Sequence, residues 1–176
     1  SGMPYWSSDI GGWHSLDHPL AGFGYYPDEY PELFIRWFQY GAFCPIFRTH
    51  GRRKENEVWS YGEEAERILV KYLKLRYRLL PYIYSNAWFT WKTGAPFMRA
   101  LFMDFGQDRK VLDIKDQYMF GKAIMVAPVV NQGQTKRNVY LPEGSDWYDF
   151  WTNELYSGGQ VIEAEAPLDR LPLYVK

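Results

Sequence analysis

The hydrophobic period of this chain changes once, between residues 94 and 122, and that change limits the folds open to it. Before it, apolar residues recur at helical spacing. Tyr30, Leu33, Phe34, Trp37, Phe38 and Gly41 fall on one face of a helix expected to start near Pro31, a residue suited to the first turn because its missing N–H is not needed there. From Gly62 to Thr93 the residues Ala65, Ile68, Leu69, Tyr72, Leu79, Leu80, Ile83, Ala87 and Trp91 keep the same period. Glu63, Glu64 and Glu66 occupy the first turns of that segment, where the helix dipole favours negative charge. Gly94 and Pro96 stop it, and Pro81 predicts a kink or break inside it, since proline lacks an N–H and its ring crowds the preceding turn.

Beyond Pro96 the apolar runs are short and are separated by turn residues such as Pro142-Glu143-Gly144 and Gly158-Gly159. The runs at 97–103, 123–130, 138–141, 147–151, 161–164 and 172–175 have the rhythm of an antiparallel sandwich or barrel. Upstream, Met3 to Asp9 and the run "FCPIFRTHG" (43–51) read as two further strands, each followed by a helical segment. The fold class expected is therefore α/β plus all-β. Residues 1–95 form the α/β part, and 96–176 pass into the β-sandwich. Two strands and two helices cannot cover both faces of a parallel sheet, so residues 1–95 are expected to be part of a larger one, and the chain a fragment.

Charge and composition narrow the partners. A net charge of -1 gives no basic excess with which to hold a nucleic acid or an anionic membrane surface. No run approaches the ~20 apolar residues of a membrane-spanning helix. The single cysteine, Cys44, excludes an internal disulfide and leaves the compartment open. It precedes Pro45 in an apolar run and reads as a small buried residue rather than a nucleophile. Aromatic residues make up 19% of the chain, which suits either a large core or a surface that meets the apolar faces of sugar rings.

Chemistry concentrates at two strand ends. "WSSDIGGW" (6–13) closes the first strand with Asp9 and frees the backbone at Gly11 and Gly12 before Trp13, and the second strand closes with Arg48, Thr49 and His50. In parallel α/β architectures, and above all in (β/α)8 barrels, groups at the carboxyl ends of strands line the site. Asp9 and His50 are thus expected on one rim.

The segments "SGMPYWSSDIGGW", "FIRWFQYGAFCPIFRTHG", "RLLPYIYS", "MFGKAIMVAPV", "VYLPEG", "WYDFW" and "APLDRLPLYVK", in that order, resemble the later barrel strands and adjoining C-terminal sandwich of glycoside hydrolase family 31. The resemblance runs from Ser1 to Lys176. It implies a partial (β/α)8 barrel, comprising its last strands and helices, followed by an antiparallel β-sandwich. It further implies a retaining α-glycosidase with an oligosaccharide substrate and no cofactor. By motif, Asp9 and His50 would bind the sugar next to the scissile bond, Trp13 would form an apolar wall, and Arg48 would brace neighbouring carboxylates.

Such enzymes need two carboxyl groups about 5 Å apart, a nucleophile and an acid/base. The resemblance places both on earlier barrel strands, upstream of Ser1, so the 176 residues alone are expected to be inactive and to need the remainder of the barrel. Asp17, Asp28, Asp104 and Asp149 read as solvated or capping residues. His14, Asp17 and His18 have a spacing that could hold zinc on a helix, but Gly12 and Pro19 argue against a helix there, and no metal is expected. A free-standing carbohydrate-binding module is the competing reading, opposed by the helices of residues 31–93. The stretch "GRRKENEVWSYGEEAERILVKYLKLRYRLLPYIYS" is more similar to family members that cleave α-xylosides of xyloglucan than to α-glucosidases.

Overall fold

The computed structural model describes residues 2–13, 30–52 and 56–176. Three helices come first: α1 (Tyr30–Gly41), α2 (Glu63–Arg78) and α3 (Leu80–Thr93). The expected break falls at Leu79, two residues before Pro81, which sits in the first turn of α3 where its missing N–H costs no hydrogen bond. Gly94 ends α3 in the left-handed region at φ 75°, donating its N–H to the Thr90 carbonyl.

The strands follow: β1 (Met98–Ala100), β2 (Tyr118–Phe120), β3 (Ile124–Val126), β4 (Lys136–Leu141), β5 (Asp146–Asp149), β6 (Leu155–Ser157), β7 (Gln160–Glu165) and β8 (Leu173–Val175). Six of them form an antiparallel sheet in the order β1-β2-β3-β8-β5-β6, and β4 pairs with β7 in a second sheet. The run at 97–103 is strand for only three residues. At Leu101 the chain turns into the single helical turn α4 (Leu101–Asp104), braced by Arg99, whose Nε donates to both carboxylate oxygens of Asp104.

Side chains of the large sheet divide by strand alternation. Phe120, Ile124, Val126 and Leu173 face the helices, where they join Phe34, Ile35, Phe38, Ile68, Leu69 and Tyr72 in one core. Met119, Met125 and Tyr174 face the other way and pack with Val139, Leu141, Trp147 and Ala164 between the two sheets. The helical part and the sandwich therefore share a core across one face of the sheet. Two polar devices reinforce that contact. Tyr82 and Asn86 of α3 grip the β2–β3 turn, with Tyr82 Oη donating to the Phe120 carbonyl at 2.7 Å and accepting from the Ala123 N–H. The Arg36 guanidinium of α1 donates to the carbonyls of Gln134, Ala166, Pro167 and Arg170.

Two expectations need correction. Residues 3–9 and 43–48 are extended or turned rather than regular strands, and among the described residues a single parallel bridge, Ile10 to Thr49, joins the segments at their ends. At the start of the second segment the backbone groups are otherwise engaged. Ala42, Phe43 and Cys44 donate their N–H groups back to Phe38, Tyr40 and Gly41 as α1 unwinds, Pro45 has none to give, and the carbonyls of 42–45 are taken by side chains. The buried face of α1 is also rotated from the one expected: Leu33 is exposed, while Ile35, Arg36 and Gln39 are buried.

On its outward side α3 leaves Tyr84, Trp88 and Trp91 in solvent, Tyr84 at 81% exposure, whereas Trp147 in the sandwich is fully buried.

Candidate active-site rim

The rim is built where the two extended segments end. Ile10, 1% exposed, anchors the first segment in the core beneath α1, and its bridge to Thr49 sets the two chains side by side. Their contact extends on either side of the bridge. The Ile46 N–H donates to the Trp6 carbonyl at 3.3 Å and the Arg52 N–H to the Trp13 carbonyl at 2.7 Å. Between them the first segment turns sharply. Gly12 N–H donates to the Asp9 carbonyl at 2.7 Å, and Gly11 and Gly12 both take φ 87°, a region that side chains disfavour. Tyr30 at the start of α1 pins this turn by donating its hydroxyl to the Gly11 carbonyl at 2.8 Å. Trp37 Nε1 donates to Ser8 Oγ at 2.9 Å.

With the backbone so placed, the expected rim residues meet in two pairs. Arg48 Nη2 donates to Asp9 Oδ1 at 3.4 Å, with side chains 54% and 32% exposed. A pair that long and that wet contributes at most about 1 kcal/mol, so it leaves Asp9 available to accept from a ligand. Trp13 meets His50 edge to face, ring centroids 4.9 Å apart, with Trp13 44% exposed. A carboxylate, a guanidinium, an imidazole and an indole thus share the end of one parallel pair. That set offers charged acceptors and donors for hydroxyl groups beside a flat apolar face.

Other candidates lie elsewhere. Asp149 accepts from the N–H groups of Trp151 and Thr152 and shapes the β5–β6 turn. Asp104 is held by Arg99. His14, Asp17, His18 and Asp28 fall outside the described residues. Cys44 is buried, and burial pushes its thiol up to about 12, which leaves no thiolate at neutral pH. An open groove between α2 and the Phe150–Trp151 turn, lined by Glu66, Arg67, Lys71, Lys74 and Arg78, shares no residue with the rim.

Comparison with known proteins gives this arrangement its context. Residues 1–86 match the model of the glycosyl hydrolases family 31 TIM-barrel domain, and residues 94–176 match that of the family 31 C-terminal domain. This chain belongs to glycosyl hydrolase family 31.

Within family 31, the whole chain is 44% identical to 23% of an alpha-xylosidase from Saccharolobus solfataricus and 37% identical to 21% of alpha-glucosidase 2 from Bacillus thermoamyloliquefaciens. The chain thus spans about a quarter of the length of these relatives or less. Among solved structures, the family 31 alpha-xylosidase of Xanthomonas citri superimposes with a TM-score of 0.89 at 47% identity, over 98% of this chain and 19% of that one. A soil-metagenome family 31 alpha-xylosidase complexed with xylose does so at 0.89 and 40% identity, over 99% and 28%. The family assignment accounts for two extended segments lying parallel with few partners, since a (β/α)8 barrel supplies eight strands.

Sequence reading located the rim residues but missed their supports. Tyr30, Trp37 and Arg76 carry the backbone on which the rim stands. Arg76 was legible: Ala65, Leu69, Tyr72 and Arg76 recur at helical spacing, which puts the arginine on the buried face of α2.

Proposed function

We propose that the protein carrying this chain is a retaining α-glycosidase that removes terminal α-linked sugars, with α-xylosides of the xyloglucan type as its preferred substrates. The observation that carries this reading is the gathering of Asp9, Arg48, Trp13 and His50 at one end of a parallel pair. It stands in a chain 44% identical along its whole length to an alpha-xylosidase. In this reading Asp9 and His50 hydrogen-bond ring hydroxyls of the sugar being released, Trp13 packs on its C–H face, and Arg48 orients Asp9. Asp9 is assigned to binding because its carboxylate, only loosely paired with Arg48, is free to accept from a sugar hydroxyl. The nucleophile and acid/base, which must flank the scissile bond about 5 Å apart, are assigned to other strands of the barrel.

The test is hydrolysis of p-nitrophenyl α-D-xyloside and α-D-glucoside by the full-length enzyme. A higher kcat/KM for the xyloside is expected, and no hydrolysis of either overturns the proposal. The reverse order selects an α-glucosidase, the second reading, favoured by the 37% identity to alpha-glucosidase 2. A pocket distinguishes sugars that differ by a hydroxymethyl group mainly by steric exclusion, and one carbon is worth only about 1–3 kcal/mol. Asp9→Asn and His50→Ala should each lower kcat/KM roughly ten- to a hundredfold, the cost of a hydrogen bond to a charged partner or of leaving a hydroxyl unpaired. The 176 residues alone should turn over neither substrate.

A further inference from the structure

At its base, residues 42–45, the backbone that leads to Arg48 and His50 is held by side chains. Four successive carbonyls, those of Ala42, Phe43, Cys44 and Pro45, each accept a side-chain hydrogen bond. Arg76 of α2 supplies three of them: Nη1 donates to Ala42 at 2.9 Å and to Cys44 at 2.7 Å, and Nη2 donates to Pro45 at 2.9 Å. Tyr118 of β2 supplies the fourth, its hydroxyl donating to Phe43 at 3.2 Å. Arg76 is 9% exposed, makes no ion pair among the described residues, and lies between the rings of Phe47 and Phe120, 5.9 and 5.6 Å from their centroids. Its charge is met by the carbonyl-rich C-terminal end of α1.

A barrel strand ordinarily takes its register from hydrogen bonds along its length. Here the Ile10–Thr49 bridge, single backbone bonds from Ile46 to Trp6 and from Arg52 to Trp13, and a solvent-exposed pair at 3.4 Å join the two segments, while the base of the second at residues 42–45 is held by side chains. Arg48 and His50 stand three and five residues beyond Pro45, within roughly 10 to 17 Å of extended backbone. A small rotation at the base is therefore magnified at the rim. We propose that Arg76 is a positioning residue for the sugar site: by clamping the carbonyls of Ala42, Cys44 and Pro45 it fixes where Arg48 and His50 emerge beside Asp9 and Trp13. The inference rests on the sugar-binding role proposed above. A lysine cannot replace it, because one ammonium lacks the rigid planar fork that reaches three carbonyls at once.

The experiment compares Arg76→Lys with Arg36→Lys in the full-length enzyme. Arg36 is also buried and also held by carbonyls, but those of Gln134, Ala166, Pro167 and Arg170, which belong to the sandwich and its loops. Thermal midpoints are measured first. Then kcat and KM for the xyloside and the glucoside are determined well below both midpoints. Both variants should lose thermal stability, but only Arg76→Lys should raise KM at least tenfold and lower kcat. Tyr118→Phe, which removes one hydroxyl and no charge, should shift KM in the same direction by less. Parental kinetic constants in Arg76→Lys, or an equal change in Arg36→Lys, overturn the inference. Should Arg76→Lys fail to fold, Tyr118→Phe decides, and an unchanged KM overturns it. A parent inactive on both glycosides removes the proposed function and this inference together, whereas an active parent indifferent to Arg76→Lys removes the inference alone.

Discussion

At Gly41 an added Cβ would stand 2.3 Å from Ile10 Cδ1 and 2.9 Å from its Cγ1, closer than carbon atoms approach. Glycine is required there by contact, since the end of α1 is pressed onto the residue that follows Asp9. Gly41→Ala should destabilise the protein by about 1–3 kcal/mol through overpacking, read as a lowered thermal midpoint. In the full-length enzyme it should also raise KM, because Ile10 must move and Asp9 with it. A variant with parental midpoint and KM would show that the contact is soft. The sequence announced Asp9, Gly11, Gly12, Trp13, Arg48 and His50 because strand ends and paired glycines have local signatures. It placed Gly41 on the buried face of α1 but did not announce its contact with Ile10, a residue 31 positions away. Nor did it reveal that Leu33 faces water while Arg36 is buried, because carbonyls distant in the sequence make that arginine's burial tolerable.

Elements were legible where punctuation is local. The α2–α3 break, the Gly94 stop and most sandwich strands follow from proline, glycine and period. β2 and β6 escaped because, unlike the equally short β1, β3 and β8, they were not read as apolar runs, and β2 owes its place to pairing with both β1 and β3 beside the turn that Tyr82 and Asn86 grip. The expected strand at 43–48 gives way at 43–45 to a turn whose carbonyls Arg76 and Tyr118 take. Another local device governs the segment between β1 and β2. Burial pushes the Asp108 carboxyl up, but the Tyr140 hydroxyl, the N–H groups of Glu143 and Lys110 and the Lys110 charge outweigh this and hold it below the usual carboxylate range. Its folded-state value is thus lower than its unfolded one, near 3.9. The resulting stability is present above that pH and fades as pH falls toward the folded value. Asp108→Asn should therefore lower the thermal midpoint at pH 7 and do so less at pH 3. A midpoint difference that does not shrink in acid would remove the ionised carboxylate from the account.

For the molecule as a whole, the feature that decides behaviour is the core shared by α1, α2 and the face of the six-stranded sheet that carries Phe120, Ile124, Val126 and Leu173. Neither part can open without exposing apolar surface of the other. Calorimetry of the 176-residue chain should give one cooperative transition with equal calorimetric and van't Hoff enthalpies, and two resolved transitions would show the parts to be separable. The outward side of α3 has a consequence of a different kind. Trp59, Trp88 and Trp91 stand in water while Trp147 is sealed between sheets, so the chain carries indoles of opposite surroundings. Iodide should quench the first three and spare the last. On unfolding, Trp147 should become quenchable and its emission move to the red, an optical gauge of the seal between the sheets already written into the fold.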